Sequence, residues 1–341
     1  MTARSANTAL DNMTRSLVRT TLPRLPPALG FDGDVEYMQQ VDLWRKWIDW
    51  EQEDPLVLKE EDNAAYKQRV LYVYKQAVMA LRFWPEMWVD AAEWCFSNGM
   101  DKDGNDFLAK GIAANPESCL LAFKHADRLE ITLPLEEGDD GIANRGTAVR
   151  APYNLLLDAL YDLLKKLKDR EEVALAKVQE DAELNANIAN VLNTIEDDDD
   201  DGNEPNSNTQ QSNKANAITA IKQGYAMQTS LLSKTISFAW IALTRAMRRV
   251  QGKGKVGDKI GGSRQILTDA RVRGRITSDV YVASALIEHH VYKDPAGTKI
   301  FERGAKLYAE DETYILEYLK HLLSIGDTTS KHAAARNSSI Y

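Results

Sequence analysis

The chain has 341 residues, of which 44% are apolar, and its formal net charge is −9. Because this length exceeds one typical compact domain, we expect either two domains or one extended architecture, and the acidic balance argues against a general affinity for polyanions. The two cysteines exclude a disulfide framework, and with neither a signal peptide nor a run of roughly 18 to 20 apolar residues, the sequence predicts a soluble protein of a reducing compartment.

The N-terminal part divides into an irregular linker and a first set of helix pairs. Residues 1–34 contain the proline- and glycine-rich stretch LPRLPPALGFDGD, which is typical of a linker. Residues 35–171 show helical periodicity, with one continuous face formed by Val70, Tyr74, Ala77 and Leu81. Pro85 is predicted at the first position of a new helix, where a missing N–H costs nothing, and Pro116 repeats this punctuation.

A compositional break follows the first helix pairs. Residues 172–215 include IEDDDDDGNEP and much of NSNTQQSNKAN, which have no aromatic residue and no period that could bury a face. We expect a disordered insertion here, a solvated loop on a scaffold surface, with a docking tail for a basic partner as the less favoured alternative. Residues 216–327 return to helix pairs, and residues 328–341 are predicted to be an irregular tail.

One helix carries large and charged residues at a spacing that returns along the chain. Trp44, Trp47 and Glu51 lie at i, i+3 and i+7, and weaker versions of this pattern begin at Trp88, Leu120, Trp240, Tyr281 and Ile315. Most of these helices are followed by a second helix with a small residue at its packing point, namely Ala77, Gly111, Ala270 and Gly304. The small residues are expected to let paired helices approach closely.

The spacing has a structural explanation. Residues at i, i+3 and i+7 form one stripe, so large side chains fill the groove between antiparallel helices, and the carboxylate one turn later can pair with an arginine. A single helix pair cannot bury its own apolar face, so stacking of pairs predicts an all-α, superhelical solenoid. The alternative, that the tryptophans stack nucleobases, is less favoured at helical spacing. The predicted structural positions are Trp44, Trp47, Glu51, Ala77, Pro85, Trp88, Gly111, Pro116, Phe123, Trp240, Ala270, Tyr281, Glu288, Gly304 and Tyr318.

Motifs for catalysis, cofactors or metals find no support. The stretch GKGKVGDKIGGS lacks the lysine of a phosphate-binding loop and is predicted to be a turn between paired helices. His289 and His290 are adjacent and therefore point about 100° apart on a helix, and Cys95 and Cys119 lack the spacing of a metal site. No acid–base pair or nucleophile signature is recognisable, so we expect no enzyme, no cofactor and no metal.

A basic stretch from Arg245 to Arg275 is the one candidate for a binding site. It contains only two acidic residues but no aromatic residues for base stacking. Contact with RNA phosphates or an acidic partner, intramolecular attraction to Asp197–Asp201, and an ordinary basic loop all remain open. The candidate contact residues are Arg245, Arg248, Arg249, Lys253, Lys255, Arg271, Arg273 and Arg275.

These helix pairs resemble half-a-TPR (HAT) repeats, which occur mainly in RNA-processing proteins. Within that class, VDLWRKWIDWEQEDPL, KQRVLYVYKQAVMALRFWPEMWVDAAEW and SDVYVASALIEHHVYKDPAGTKIFERGAKLY look like repeats of the suppressor-of-forked family. This family supplies the large HAT-repeat subunit of cleavage stimulation factor in animals and of cleavage factor IA in fungi. The acidic insertion and the linker look like a filamentous-fungal version.

The resemblance implies a non-catalytic scaffold of the nuclear machinery for pre-mRNA 3′-end cleavage and polyadenylation, with a cytoplasmic pool also compatible. The implied partners are other subunits of that complex, including an RNA-recognition-motif subunit and a polymerase-tail-binding subunit, and the family's C-terminal repeats form a homodimer. RNA contact would be indirect or weak, and no membrane is involved. The chain resembles a member truncated at both ends, so the site for the RNA-recognition-motif subunit is expected to be absent. The alternatives are a HAT-repeat scaffold for splicing or ribosome biogenesis, and a helical enzyme with a hidden site.

Overall fold

The structure, a computed structural model, describes residues 3–24, 34–135, 137–195 and 207–326. These residues form helices and connecting turns and contain no strand, which confirms the prediction of an all-α chain. The predicted tail 328–341, the Asp197–Asp201 run and part of the linker lie outside the described residues. Among the described helices, none is long and apolar enough to cross a membrane.

The helices follow one another in chain order with mostly short connections. They are α1 (Ala3–Thr14), α2 (Val35–Gln52), α3 (Leu58–Glu61), α4 (Asn63–Ala80), α5 (Pro85–Ser97), α6 (Asp101–Ala114), α7 (Cys119–Thr132), α8 (Gly138–Ile195), α9 (Ser207–Val250), α10 (Gly262–Arg273), α11 (Ser278–Leu286), α12 (Ala296–Leu307) and α13 (Glu312–Ser324). A π-helical turn, Ile287–Val291, continues α11.

Local sequence signals set several helix starts. Asp34, Asp62 and Ser118 precede α2, α4 and α7, and each side chain accepts a hydrogen bond from the backbone N–H three residues later, at 2.6, 3.0 and 3.4 Å. These bonds satisfy donors that the first turn of a helix leaves without partners. Pro85 is the first residue of α5, as its position after the short break predicted.

The chain divides into two compact units. The first comprises Met1–Leu156, Ala246–Gly252 and Gly257–Gly262, and the second comprises Leu157–Arg245, Lys253–Val256 and Ser263–Tyr341.

Unit 1 is a stack of helix pairs. Helix α5 packs against α4, α6 and α7, so each helix contacts both its neighbour and the next helix along the chain. Trp88 of α5 is buried against Phe107 of α6. A Cβ added at Gly111 would lie 2.9 Å from Trp88 Cβ, so this glycine permits the close approach of α5 and α6.

Unit 2 repeats this arrangement. Helices α11, α12 and α13 pack against one another, and Phe301 of α12 stacks on Tyr318 of α13 with ring centroids 5.5 Å apart. Gly304 accommodates the Tyr314 hydroxyl, which a Cβ would displace. In the same unit, Trp240 of α9 donates a hydrogen bond to Tyr161 Oη of α8 at 3.2 Å. Together these contacts show stacked helical pairs in each unit, as the repeat pattern predicted.

The segment boundaries differ from the predicted ones. Within the predicted linker, Ala3–Thr14 is a helix, and within the predicted insertion α8 continues to Ile195 and α9 begins at Ser207. The reason is that EEVALAKVQEDAELNA is rich in good helix formers, and half-buried Leu175, Val178 and Ala182 recur every three or four residues. The prediction of disorder over residues 172–215 is therefore wrong for residues 172–195 and 207–215, and residues 196–206 lie outside the described part.

The repeat that begins at Leu120 differs in register. Leu120 is exposed, whereas Leu121, Ala122 and Ala126 of α7 lie in the core. Phe123 is only half-buried. When the residues at i, i+3 and i+7 are not the large aromatic and acidic ones of the first repeat, the same spacing also fits a start one residue away. Spacing alone therefore did not determine which residue faces the core.

Candidate interaction surfaces

The tryptophans that opened the repeat pattern lie in the core of unit 1. Trp44 is fully buried, and its ring stacks on that of Trp47 with centroids 5.5 Å apart and an interplanar angle of 22°. Buried rings cannot stack nucleobases, which require an exposed face. The two side chains therefore fill the space between helices.

The carboxylate of the same repeat is buried and compensated. Glu51 is 5% exposed and accepts hydrogen bonds from Arg69 Nε at 3.0 Å and Arg69 Nη2 at 2.9 Å. Trp47 Nε1 also donates to it at 3.3 Å. Burial in a low dielectric would destabilise an unpaired carboxylate, and the bidentate ion pair with Arg69 offsets that cost. The pair also fixes α2 against α4.

Unit 2 contains a similar ion-paired position. Glu288 is buried and accepts from Arg264 Nε at 2.7 Å and Arg264 Nη2 at 2.8 Å. Arg264 also donates to Asp294, which accepts from Lys253 Nζ at 2.6 Å. The hydrogen bonds from Lys253, from the Ala296 backbone N–H and from Arg264 hold the pKa of Asp294 well below its usual value. These charged groups pair with one another and thereby stabilise the fold.

The other predicted structural positions divide by burial. Pro85 and Phe123 are half-buried and Pro116 is exposed. The remaining residues are buried: Ala77, Trp88, Gly111, Trp240, Ala270, Tyr281, Gly304 and Tyr318. The pattern therefore identified mainly core positions, and a binding surface has to be sought among residues outside it.

The eight predicted contact cations do not share one environment. The Arg249 guanidinium donates two hydrogen bonds to the Glu130 carboxylate, at 2.7 and 2.8 Å. Lys253 is ion-paired with Asp294, as described above. Arg273 pairs with Asp158 at 2.9 Å and lies over the Tyr161 ring at 4.1 Å. Three of the cations thus stabilise the fold internally.

The remaining five cations differ in exposure and in the unit to which they belong. Arg245, Lys255, Arg271 and Arg275 are exposed, and Arg248 is half-buried. Arg248 belongs to unit 1, whereas the other four belong to unit 2. Of the eight candidates, Arg271 is the one that lines the groove between α10 and α12 in unit 2.

We call this groove the basic groove and define it by Leu267, Arg271, Lys299, Ile300, Arg303 and Lys306. It encloses about 520 Å³ between α10 and α12. Its three cations on α12 lay beyond the basic stretch singled out in the sequence. Their spacing at i, i+4 and i+7 could have identified them, because residues so spaced share one helical face.

Unit 1 has a groove of opposite character, which we call the acidic groove. It encloses about 420 Å³, and Asp49, Asp90 and Glu93 line it together with Arg45. Burial raises the pKa of Asp90, although Arg45 opposes the shift. The excess of carboxylates suits a basic partner rather than an RNA.

Neither the two cysteines nor the adjacent histidines form a reactive arrangement. Burial raises the pKa of the Cys95 thiol to about 12 and that of Cys119 to about 11, so both are protonated near neutral pH and are poor nucleophiles. His289 and His290 lie in the π-helical turn, with ring centroids 4.8 Å apart. Across the described ranges, no three histidine, cysteine or acidic side chains are grouped so as to hold a metal ion.

The comparisons with known proteins agree with the resemblance seen in the sequence. A family model described as "Suppressor of forked protein (Suf)" matches residues 1–334. The mRNA 3′-end-processing protein rna14 of Aspergillus fumigatus is 61% identical over 334 residues, which are 98% of this chain and 32% of that protein. The Neurospora crassa protein rna-14 is 54% identical over 343 residues, covering 97% of this chain and 28% of its own length.

The chain thus spans about a third of the length of the curated relatives that it matches. Among solved structures, the crystal structure of CstF-77 aligns with a TM-score of 0.44 at 14% identity, covering 88% of this chain and 54% of its own. Because the family model spans nearly the whole sequence, the chain belongs to the suppressor of forked protein family.

Proposed function

We propose that this chain is a non-catalytic scaffold segment of the machinery that cleaves and polyadenylates pre-mRNA 3′ ends. The observation that carries the proposal is the 61% identity, over 98% of the chain, to a protein named for mRNA 3′-end processing. Stacked helix pairs with compensated internal charges form rigid surfaces, which suits a protein that positions others.

The mechanism is assembly. A rigid helical surface that binds two modules converts their encounter into an intramolecular one and raises their effective concentration at the processing site. The proposed modules are other subunits of the cleavage and polyadenylation complex, among them a polymerase-tail-binding subunit, and a second copy of the chain. RNA would then be held through these subunits, in the nucleus.

A scaffold role without chemistry is supported by the state of the side chains. Both thiols are protonated near neutral pH because burial raises their pKa. The buried carboxylates Glu51 and Glu288 are each held by an arginine. Groups that are paired in this way stabilise the fold and are not free to accept a proton from a substrate.

The test is affinity capture from a filamentous-fungal nuclear extract, with residues 1–341 as bait and an unrelated protein of similar net charge as the control bait. The proposal predicts recovery of cleavage and polyadenylation subunits with this chain only. Recovery of spliceosomal or pre-ribosomal subunits in their place would overturn it. Light scattering on the same preparation gives the molecular mass and so separates a homodimer from a monomer.

A further inference from the structure

The basic groove carries an excess of positive charge. Arg271, Lys299, Arg303 and Lys306 are exposed, and none of them makes an ion pair with another residue of the described part of the chain. One carboxylate, Glu302, also lines the groove, so four positive charges minus one negative charge leave an excess of three. Three of the cations share one face of α12, where like charges repel one another. The excess positive charge of the groove therefore favours an anionic ligand.

The floor of the basic groove is apolar. Half-buried Leu267 of α10 and Ile300 of α12 line it, together with Ala296. A narrower continuation of about 190 Å³ shares these three residues and reaches Ser284. That side chain is 6% exposed, and its hydroxyl has no hydrogen-bond partner within the described residues. A ligand with apolar and hydrogen-bonding groups would use this floor, whereas a simple anion would not.

We propose that the basic groove binds a short acidic peptide segment of a partner protein, in which carboxylates alternate with side chains the size of leucine or phenylalanine. Its carboxylates would pair with Arg271 and Arg303, whose planar guanidinium groups suit bidentate contacts. Its apolar side chains would cover Leu267 and Ile300. This goes beyond the proposed scaffold function, because it assigns the chemistry of the ligand for one surface. That assignment does not depend on which assembly contains the chain.

A peptide fits this groove better than RNA does. Single-stranded RNA is held largely by stacking of its bases on exposed aromatic rings, to which arginine adds only a cation–π contribution. The one aromatic residue that lines the groove is Tyr281, which is 3% exposed and lies in the core. The apolar floor would gain nothing from a sugar–phosphate backbone.

The end of α8, after which the chain's own acidic run follows in sequence, lies far from the C-terminal end of α10. Tyr161 Oη donates to the Gly274 carbonyl at 2.7 Å, which places this part of α8 beside the C-terminal end of α10. From Tyr161, α8 continues as a helix to Ile195, about 50 Å away at the usual rise per residue. The connection from Ile195 to Ser207 is too short to return over that distance. We therefore take the peptide to come from another molecule rather than from this acidic run.

The test is fluorescence anisotropy with the full chain and a fluorescein-labelled peptide of about twelve residues, made of Asp and Glu with Leu or Phe at every third or fourth position. We expect saturable binding that Arg271→Glu with Arg303→Glu weakens roughly tenfold or more, because two attractive contacts become repulsive. The matched control Arg170→Glu alters an exposed arginine of α8 outside the groove and should leave affinity unchanged. The milder pair Arg271→Gln with Arg303→Gln, checked by circular dichroism, separates lost binding from lost folding.

Two further probes make the result decisive. A peptide with serine in place of Leu and Phe keeps its charge and should bind several-fold more weakly, because it leaves the apolar floor uncovered. A labelled oligouridine should bind more weakly than the acidic peptide. Equal affinity of the double variant and the unaltered chain for the peptide would overturn the inference. Preferential binding of the oligouridine, lost in the double variant, would overturn it in favour of RNA.

Discussion

Glu51 shows how a repeat position carries a charge inside the core. Its carboxylate is buried among apolar side chains and is held by both donors of Arg69 and by the Trp47 indole. Glu288 has the same relation to Arg264 in unit 2. In both units, the glutamate at the i+7 position of the repeat therefore fixes one helix against another. An apolar side chain could also pack there, but it would not select a particular partner residue.

Replacing Arg69 with methionine should destabilise unit 1. The variant Arg69→Met keeps a long stem but leaves Glu51 buried with one remaining donor, so we expect the free energy of unfolding to fall by about 2 kcal/mol. Urea unfolding followed by tryptophan fluorescence measures this, since every tryptophan except Trp240 lies in unit 1. The control Lys110→Met breaks an exposed pair with Asp106 and should change the free energy by less than about 0.5 kcal/mol. Equal losses in the two variants would contradict this account of Glu51.

His321 should make the stability of unit 2 depend on pH. The side chain is 3% exposed, its Nε2 shares a hydrogen bond with Thr298 Oγ1 at 2.9 Å, and its ring stacks on Phe301. Burial, together with the neighbouring rings of His289 and His290, lowers the pKa of His321 below its usual value of 6.5. The unfolded chain therefore binds the proton more readily, so stability is full above about pH 6.5 and decreases as the pH falls below that value.

The variant His321→Gln removes this titration and retains a polar side chain near Thr298. We expect its thermal unfolding midpoint to fall less than that of the unaltered chain between about pH 7.5 and pH 5.5. Circular dichroism at several pH values makes the comparison. Parallel pH profiles for the two proteins would show that His321 does not contribute to the dependence.

For the helices, hydrophobic periodicity predicted most of the fold. Where composition and periodicity disagreed, the prediction made from composition was wrong. The break before Pro85 and the close approach at Gly111 both follow from side-chain size and backbone chemistry, which a sequence displays directly. The region after residue 172 was assigned by its proximity to an acidic run, although its own helix formers favour α8. Of the four cations of the basic groove, the sequence analysis named Arg271 alone, because α10 and α12 are separated in sequence and meet only in the folded unit.

The continuation of α8 can be tested at its half-buried face. Val178 is half-buried, whereas Val173 of the same helix is exposed. We expect Val178→Asp to lower the helical signal in circular dichroism and to speed proteolysis between residues 172 and 195, because a charge replaces a packed side chain. Val173→Asp should leave both readouts near those of the unaltered chain. Identical behaviour of the two variants would argue that the segment is not packed along one face.

Across the molecule as a whole, the two units carry grooves of opposite charge. Carboxylates dominate the groove of unit 1, and cations dominate the groove of unit 2. The net charge of −9 conceals this division, because a formal sum says nothing about where the charges lie. A scaffold that sorts several proteins gains selectivity from such contrast, since each groove repels ligands suited to the other.

The central claim is that this chain holds subunits of the 3′-end processing machinery. The most direct measurement adds purified chain, in rising excess, to a fungal nuclear extract that both cleaves and splices pre-mRNA. A scaffold segment without the rest of its relatives' length should occupy partner subunits unproductively and inhibit 3′ cleavage, while splicing proceeds. Undiminished cleavage together with inhibited splicing would contradict the account.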